Sequence, residues 1–595
     1  MSTSNILDAL DRWATLTPDR PAVTFLDGDR ACAPMTYSQL HHRAVAIASR
    51  LRTQGDASQP VLIACPPGCD FIVAFFACLY ARRPAVPVPA PTHAQSGATT
   101  VRLRSIIADS GARHALTTEN IATALSKEAS SRAPELDQVT WLKTTISEAP
   151  QTLSQWRRPD TRDRDVAYIQ YTSGSTYQPK GVIVRHANIM ATLAYLSTLW
   201  IKDQSAPVAV SWLPPYHDMG LIVGILLPLF EGFPLYMMSP ASFIHRPARW
   251  LQAITQYRGT ISAAPNFAYD LCVAAIPETQ RRALRLSSWI IAVNAAEPIR
   301  AATLDSFAQS FAPVGFDRTA FCGGYGLAEA TVAVSAQRCR TGPELIRVDT
   351  DQLERGRVVP LSASERSTTL VGCGRPDAVA IEDIAIVNPN TLKRCDMDTI
   401  GEIWVRGPGI ADGYWRNAHA TARAFKAWTA DSRGPFLRTG DLGFVHDGTV
   451  YVTGRWKEVI LIRGRNLYPQ DLERTAYLVH PSLPLPRCVA FSVTAESEER
   501  VILVVECRRT IVPTSALRRL IQRALLDYHD VQAEIVFVKR GTISTTSSGK
   551  LQRRLCRDRY LRGQLAEITP SLSSEDINDT HDTHVQARTD GHDRP

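Results

Sequence analysis

The chain is predicted to fold as α/β with mostly parallel sheets, on three observations. Short β-branched runs alternate with stretches of helical period along most of its length. Hydrophobic residues make up 45% and charged residues 21%, an ordinary globular balance, and 595 residues suffice for several domains. No repeat of the 20–50-residue kind that builds solenoids or propellers is visible.

The elements follow in order. Val61–Ala64 reads as a strand and Phe71–Arg82 as a helix. Trp289–Val293 reads as a strand and Ala301–Ala312 as a helix. From about Gly401 the pattern becomes short strands and tight turns, GEIWVRG and then HDGTVYVTG, with Asp447-Gly448 as a hairpin turn. This predicts a small β-rich subdomain. After Gly454-Arg455-Trp456-Lys457 a compact αβ unit is expected to about Leu565. The last 30 residues lack apolar periodicity and are expected to be disordered. His581 and His584 in that tail read as solvated residues, not metal ligands.

Composition narrows the function classes. The net charge is +8 with basic residues scattered, a mild bias toward anionic ligands and not a nucleic-acid signature. The 12 cysteines show no zinc spacing, Cys65 and Cys69 forming a CxxxC without a second pair, so free buried thiols are expected. The longest apolar runs, Phe71–Ala81 and Leu221–Phe230, fall short of the roughly 20 residues that span a bilayer. The N-terminal stretch has no basic segment followed by an apolar one. A soluble cytoplasmic protein is expected, with no membrane span and no nucleic-acid partner.

The stretch YIQYTSGSTYQPKGVIV holds Thr172, Ser173, Gly174, Ser175 and Thr176 between a β-prone run and Lys180. Successive backbone N–H groups in such a turn bind anions, hydroxyls add donors, and Lys180 can supply positive charge to a phosphate. The order differs from the GxxxxGK[ST] loop, because Lys180 precedes Gly181 and no Ser or Thr follows at the required position. By itself the stretch equally fits a plain surface loop. Further motifs follow in fixed order. SWLPPYHDMGL carries His217 and Asp218. NAAEP carries Ala296 and Glu297. GGYGLAEAT carries Tyr325, Gly326 and Glu329. A glycine-flanked tyrosine can lie against a purine ring, and a nearby acid can hold Mg²⁺. RTGDLG carries Asp441, an acceptor suited to ribose hydroxyls. GRWKEVILIRGRNLYPQDLE carries Arg455 and Lys457, and STTSSGKLQRR carries Lys550 in a polar loop.

Taken together, from about residue 10 to 565, these motifs resemble the adenylate-forming superfamily of acyl-CoA synthetases, luciferases and nonribosomal-peptide adenylation domains. The chain is most similar to its fatty acyl-AMP ligase branch. SWLPPYHDMGL and GRNLYPQDLE match that branch, Ala328 stands where many CoA ligases carry Thr, and residues 341–370 fall where the branch has an insertion. The resemblance implies a large N-terminal domain over 1–455, built of two α/β sheet subdomains and a small β-rich one. A small mobile α+β lid over 456–565 and a tail over 566–595 would follow.

The resemblance also implies an activity. A fatty acid carboxylate would attack the α-phosphorus of ATP, giving acyl-adenylate and pyrophosphate. The acyl group would then pass to the phosphopantetheine of a separate acyl carrier protein. The implied cofactors are ATP and Mg²⁺. Thr172 to Thr176 with Lys180 would cradle the β- and γ-phosphates. Tyr325, followed by Gly326, would stack on adenine beside Ala296 and Glu297. Glu329 would hold Mg²⁺, and Asp441 with Arg455 would take the ribose. Lys550 would bridge the carboxylate and α-phosphate, His217 would line their junction, and Lys457 would be the hinge. Met219, Leu221, Ile222 and Phe267 are candidates for an acyl tunnel or for plain core. Two departures stand out: Tyr177 where the family has a small residue, expected to crowd the γ-phosphate, and Ala295 in place of glycine, a methyl near adenine. A fatty acyl-CoA synthetase is the alternative reading, and a non-catalytic nucleotide or acyl sensor a third.

Overall fold

Val61–Ile63, Ala85–Pro87 and His114–Thr117 are short apolar strands, and strands of this kind persist only when helices cover both faces of their sheet. A computed structural model shows this arrangement. It describes residues 5–91, 98–127, 134–145, 156–172, 179–361, 366–462, 465–479, 487–495, 498–507, 515–546 and 550–568. Two compact units emerge: one holds Met1–Thr350 with Val358–Thr453, the other Asp351–Arg357 with Gly454–Pro595. The expected tail begins too early, since Glu567 bridges to Val538 and the Ile568 N–H bonds the Phe537 carbonyl; the rest of it, with His581 and His584, lies outside the described residues, as does Tyr177.

The first unit holds two large sheets. One runs Thr140–Lys143, His114–Thr117, Val61–Ile63, Ala85–Pro87, Val166–Thr172, Lys180–Arg185, parallel except for its last, antiparallel pair. The other is parallel through Phe321–Tyr325, Ile291–Asn294, Ile261–Ala264, Ala209–Ser211, Leu235–Met238 and Pro21–Asp27. An antiparallel four-stranded sheet, Asp383–Val387, Gly401–Arg406, Leu437–His446, Thr449–Arg455, is the expected β-rich region. Its last hairpin turns at Asp447 and Gly448, with φ of 48° and 79°, the left-handed pair a tight two-residue turn requires. Residues of the expected insertion form the hairpin Leu345–Asp349 and Ser367–Val371.

Several element boundaries differ from the sequence reading, three of them for evident reasons. The helix runs Cys69–Tyr80, not to Arg82, because Arg82 turns left-handed at φ 57° and Pro84 follows. Arg83 is then buried: its guanidinium donates to the carbonyls of Gln54 at 2.8 Å and Gln59 at 3.0 Å. The strand expected at Trp289 begins at Ile291. The Trp289 N–H closes a turn on Leu286, and its ring packs 5.1 Å from that of Trp250 in an aromatic core. The next helix ends at Phe311, since Pro313 follows Ala312.

The second unit pairs Cys488–Ala495 antiparallel to Glu498–Cys507, which pairs parallel to Ala533–Lys539. Pro469–Val479 and Ser515–His529 pack with it through Leu472, Ala476, Ile521 and Leu525. Residues 454–568 carry 20 Lys and Arg against 12 Asp and Glu, so the positive charge is concentrated there and not scattered. All 12 cysteines are free, and of them only Cys32 is exposed. Among the described residues no helix is long and apolar enough to cross a membrane.

One buried group of the first unit predicts a pH effect. Burial pushes the His186 imidazole down to about 4, although Asp165 beside it works in the opposite direction. The ordinary histidine value is about 6.5, so between these limits the unfolded chain binds a proton that the folded chain refuses. This contribution is complete above about pH 6.5 and is lost as pH falls toward 4, roughly 3 kcal/mol in all. His186→Leu lacks it. Urea denaturation of both proteins from pH 7 to 4 is expected to shift in the variant's favour by that amount.

Candidate active site

Parallel α/β sheets present ligands at the carboxyl ends of their strands. The expected site residues of the first unit gather there. Thr172 ends Val166–Thr172, Ala296 and Glu297 follow Ile291–Asn294, Tyr325 ends Phe321–Tyr325, and His217 lies in the loop after Ala209–Ser211. Ser173, Gly174, Ser175 and Thr176 lie outside the described residues.

The centre is a buried hydrogen bond. Tyr325 Oη donates to Asp441 Oδ2 at 2.9 Å across 116 residues of chain. Both side chains are nearly closed to water, at 8% and 6% exposure, so each needs a polar partner. Asp441 sits in the strand Leu437–His446 at a register irregularity that is itself anchored. Glu402 accepts from Arg438 Nη2 at 2.6 Å and, on its other oxygen, from the Gly440 N–H at 3.1 Å. The Thr439 hydroxyl donates to the Ile403 carbonyl at 2.7 Å and accepts from the Asp441 N–H at 3.1 Å. Sequence reasoning missed Glu402. The available signal was an acid inside the apolar strand Gly401–Arg406, which stands only when paired.

Beside Tyr325 the chain is strained into position. Ala296 adopts φ 77°, uncommon for a residue with a Cβ. Glu297 Oε1 holds the Phe267 N–H at 3.1 Å, and Asn266 donates to the Pro298 carbonyl at 2.6 Å. Asn266 Oδ1 also accepts from Asn294 at 3.0 Å, so the ends of two neighbouring strands are clasped together. The Ala295 methyl lies against the edge of Gly324, where an added Cβ would meet it at 3.6 Å, an ordinary contact.

Thr172 and Lys180 face each other as a register pair at the mouth of their hairpin. Gly181 admits the tight crossing, since a Cβ there would meet Ile169 at 2.6 Å. The Lys180 ammonium lies 4.9 Å from the centroid of the Tyr414 ring. Tyr414 Oη in turn donates to Glu329 Oε1 at 2.8 Å. Backbone bonds from Ile183 to Gly413 and from Trp415 to Gly181 bring Tyr414 to this place. Gln170, on the Thr172 strand, donates to the Tyr216 carbonyl at 2.8 Å and so fixes the loop of His217. His217 Nδ1 is 2.6 Å from Asp218 Oδ1. Met219 and Leu221, in the helical turn Asp218–Leu221, and Ile222, which opens the π-helical turn Ile222–Leu226, are buried, and Phe267 is half-buried.

The donor set suits a cation that arrives with phosphate. It is a hard carboxylate oxygen, and among the described residues no group of three His, Cys, Asp or Glu forms a protein cage.

Arg455, Lys457 and Lys550 belong to the second unit. Arg455 ends the strand Thr449–Arg455, and Lys457 sits in the 3₁₀ turn Trp456–Glu458. The backbone of Lys550 closes a small hairpin: its N–H donates to Thr546 Oγ1 at 3.0 Å and its carbonyl accepts from the Thr546 N–H at 2.7 Å.

Comparison with known proteins gives the family of the chain. The AMP-binding enzyme family model matches residues 10–415, and the model of the Disco-interacting protein 2-like AMP domain matches 457–569. The chain is 41% identical to a medium-chain-fatty-acid–[acyl-carrier-protein] ligase of Moorena producens (strain JHB), over 94% of this chain and 96% of the relative. It is 33% identical to a long-chain-fatty-acid–AMP ligase of Mycobacterium tuberculosis, over 96% and 100%. The crystal structure of a fatty acyl-adenylate ligase from L. pneumophila in complex with acyl adenylate and pyrophosphate superposes with a TM-score of 0.73 at 35% identity, covering 95% and 97%. The chain belongs to the AMP-binding enzyme family, in its fatty acyl-AMP ligase branch.

Proposed function

We propose that the protein activates a fatty acid with ATP and hands the acyl group to the phosphopantetheine thiol of a separate acyl carrier protein in the cytoplasm. The observation that carries this reading is the buried Tyr325–Asp441 pair, with Tyr325 four residues before Glu329 in the chain. In the first step a carboxylate oxygen bonds to the α-phosphorus, the bond to the bridging oxygen breaks, and pyrophosphate leaves. In the second the thiol sulfur bonds to the acyl carbon, AMP leaves, and the thiol proton is released.

Each residue has a task in bringing two anions together. Tyr325 and Gly326 form a flat wall for adenine, with Ala296 and Glu297 at its edge. Asp441, held by Glu402 through Gly440, accepts from ribose hydroxyls, and Arg455 serves the same end. Thr172 to Thr176 with Lys180 take the β- and γ-phosphates. Glu329 would hold Mg²⁺, which offsets phosphate charge when bound. His217, oriented by Asp218, lines the junction of acid and phosphate. Lys550 supplies positive charge there, and Lys457 is the hinge on which the second unit swings as a lid between the two steps. A relative named for a carrier-protein acceptor supports the thiol of a carrier over that of CoA.

The test is mass spectrometry of products formed from ATP, Mg²⁺ and a panel of free fatty acids. Without an acceptor, acyl-adenylate is expected to accumulate. With a phosphopantetheinylated carrier the acyl mass moves to the carrier. Acyl-CoA formed at a comparable rate when CoA is offered would overturn the carrier assignment, and no adenylate from any acid would overturn the whole reading.

A further inference from the structure

Tyr414 is absorbed by none of the motifs read from the sequence, yet it is held with more care than a surface tyrosine needs. Its N–H donates to Thr421 Oγ1 at 2.9 Å, and its backbone bridges to Val182. The Phe425 ring meets it edge-on at 5.2 Å, and the Lys180 ammonium lies 4.9 Å from its centroid. These contacts fix the ring, and the ring aims the hydroxyl at Glu329 Oε1, 2.8 Å away.

A carboxylate has two oxygens. An oxygen that accepts from a hydroxyl keeps a second lone pair but is the weaker donor of the two, so chelation of one cation through both oxygens is disfavoured. Mg²⁺ is small and octahedral, takes carboxylates one oxygen at a time and keeps waters, whereas Ca²⁺ accepts more ligands and readily takes both oxygens of one carboxylate. We infer that Tyr414 makes Glu329 a single-oxygen ligand and thereby selects Mg²⁺ or Mn²⁺ over Ca²⁺ as the cation that accompanies the nucleotide. This rests on the reading of Glu329 as a cation ligand, and it adds a residue that sets cation choice without touching the cation.

The decisive variant is Tyr414→Phe, which keeps the ring, its packing and the face presented to Lys180, and removes only the hydroxyl. The readout is not turnover. Full-length protein with α,β-methylene-ATP is loaded with Mn²⁺, and protein-bound Mn²⁺ is followed by water-proton relaxation while Mg²⁺ or Ca²⁺ is titrated in. In the wild type, Mg²⁺ is expected to displace Mn²⁺ more readily than Ca²⁺ does. In Tyr414→Phe the Ca²⁺ needed for half-displacement should fall by about 10-fold relative to Mg²⁺, the size of effect that partners of metal ligands exert. Glu329→Gln separates the two layers. If it retains Mn²⁺ as tightly as the wild type, Glu329 is no cation ligand. If it releases Mn²⁺ while Tyr414→Phe keeps the wild-type Mg²⁺/Ca²⁺ ratio, Tyr414 does not set the cation choice and the reading of Glu329 stands.

Discussion

Lys550→Ala is expected to slow acyl-adenylate formation by about 10²–10³-fold, the loss seen when one preorganised donor to a developing charge is removed. The reasoning is electrostatic. Carboxylate and α-phosphate oxygens repel as they approach, and an ammonium between them is worth most at the transition state, where charge is gathered most tightly. Both hydrogen bonds of the Lys550 hairpin with Thr546 use the Lys550 main chain, so truncating the side chain leaves the hairpin in place. The variant should therefore melt like the wild type and bind ATP as well, with the deficit confined to the rate. Stopped-flow release of pyrophosphate on mixing enzyme–ATP with fatty acid measures it. A wild-type rate would remove Lys550 from the chemistry. Lys550→Arg, which keeps charge but places it on a planar fork, should recover only part of the loss.

Three residues further on, Arg553→Ala is expected to destabilise the second unit by about 3–5 kcal/mol. Arg553 donates to Glu473 through Nε at 2.7 Å and Nη2 at 2.8 Å, and to Glu458 through Nη1 at 3.1 Å. Burial works against its charge, but Glu473 and then Glu458 more than offset that, and the guanidinium pKa ends above its usual value. Truncation would strand Glu473, which is only 8% exposed and also accepts the Ala490 N–H at 3.0 Å. The cost is that of an uncompensated buried carboxylate, not of a lost surface pair. Differential scanning calorimetry should show the transition of the second unit moving down, and Arg553→Lys should recover little because it cannot make the forked contact. An unchanged transition would mean that Glu473 finds water or another donor. Glu473→Gln/Arg553→Met, which removes both charges, should sit closer to the wild type than Arg553→Ala does.

Much of this molecule was legible in residue order, for physical reasons that differ by case. The paired strands around Asp447-Gly448 were readable because a two-residue turn demands left-handed backbone, and few residues supply it. The placement of Thr172, Ala296, Tyr325 and His217 after strands followed from β-prone runs stopping at small or polar residues. Side-chain partnerships were not legible. Nothing local to Glu329 announces that its hydroxyl donor lies 85 residues on at Tyr414, because the loop of Tyr414 is delivered by strand pairing with Ile183 and Gly181. The assignment of Asp351–Arg357 to the second unit was equally out of reach, since it depends on contacts such as Arg465 with Glu354 at 3.3 Å. The displaced element ends at Arg82 and Trp289 share a cause: apolar pattern ran on past the point where a left-handed turn or an aromatic core claimed the residue.

The long reach of the Tyr325–Asp441 bond has a consequence for the newborn chain. At ribosomal speeds of about 5–20 residues per second, the stretch between them takes roughly 10 s to appear. During that interval the strand ending at Tyr325 can already have neighbours to pair with, while the phenol that closes it has no acceptor. The nascent enzyme thus passes through a period in which its sheets exist and the Tyr325–Asp441 bond does not, and a message cut short before Asp441 yields protein caught in that state.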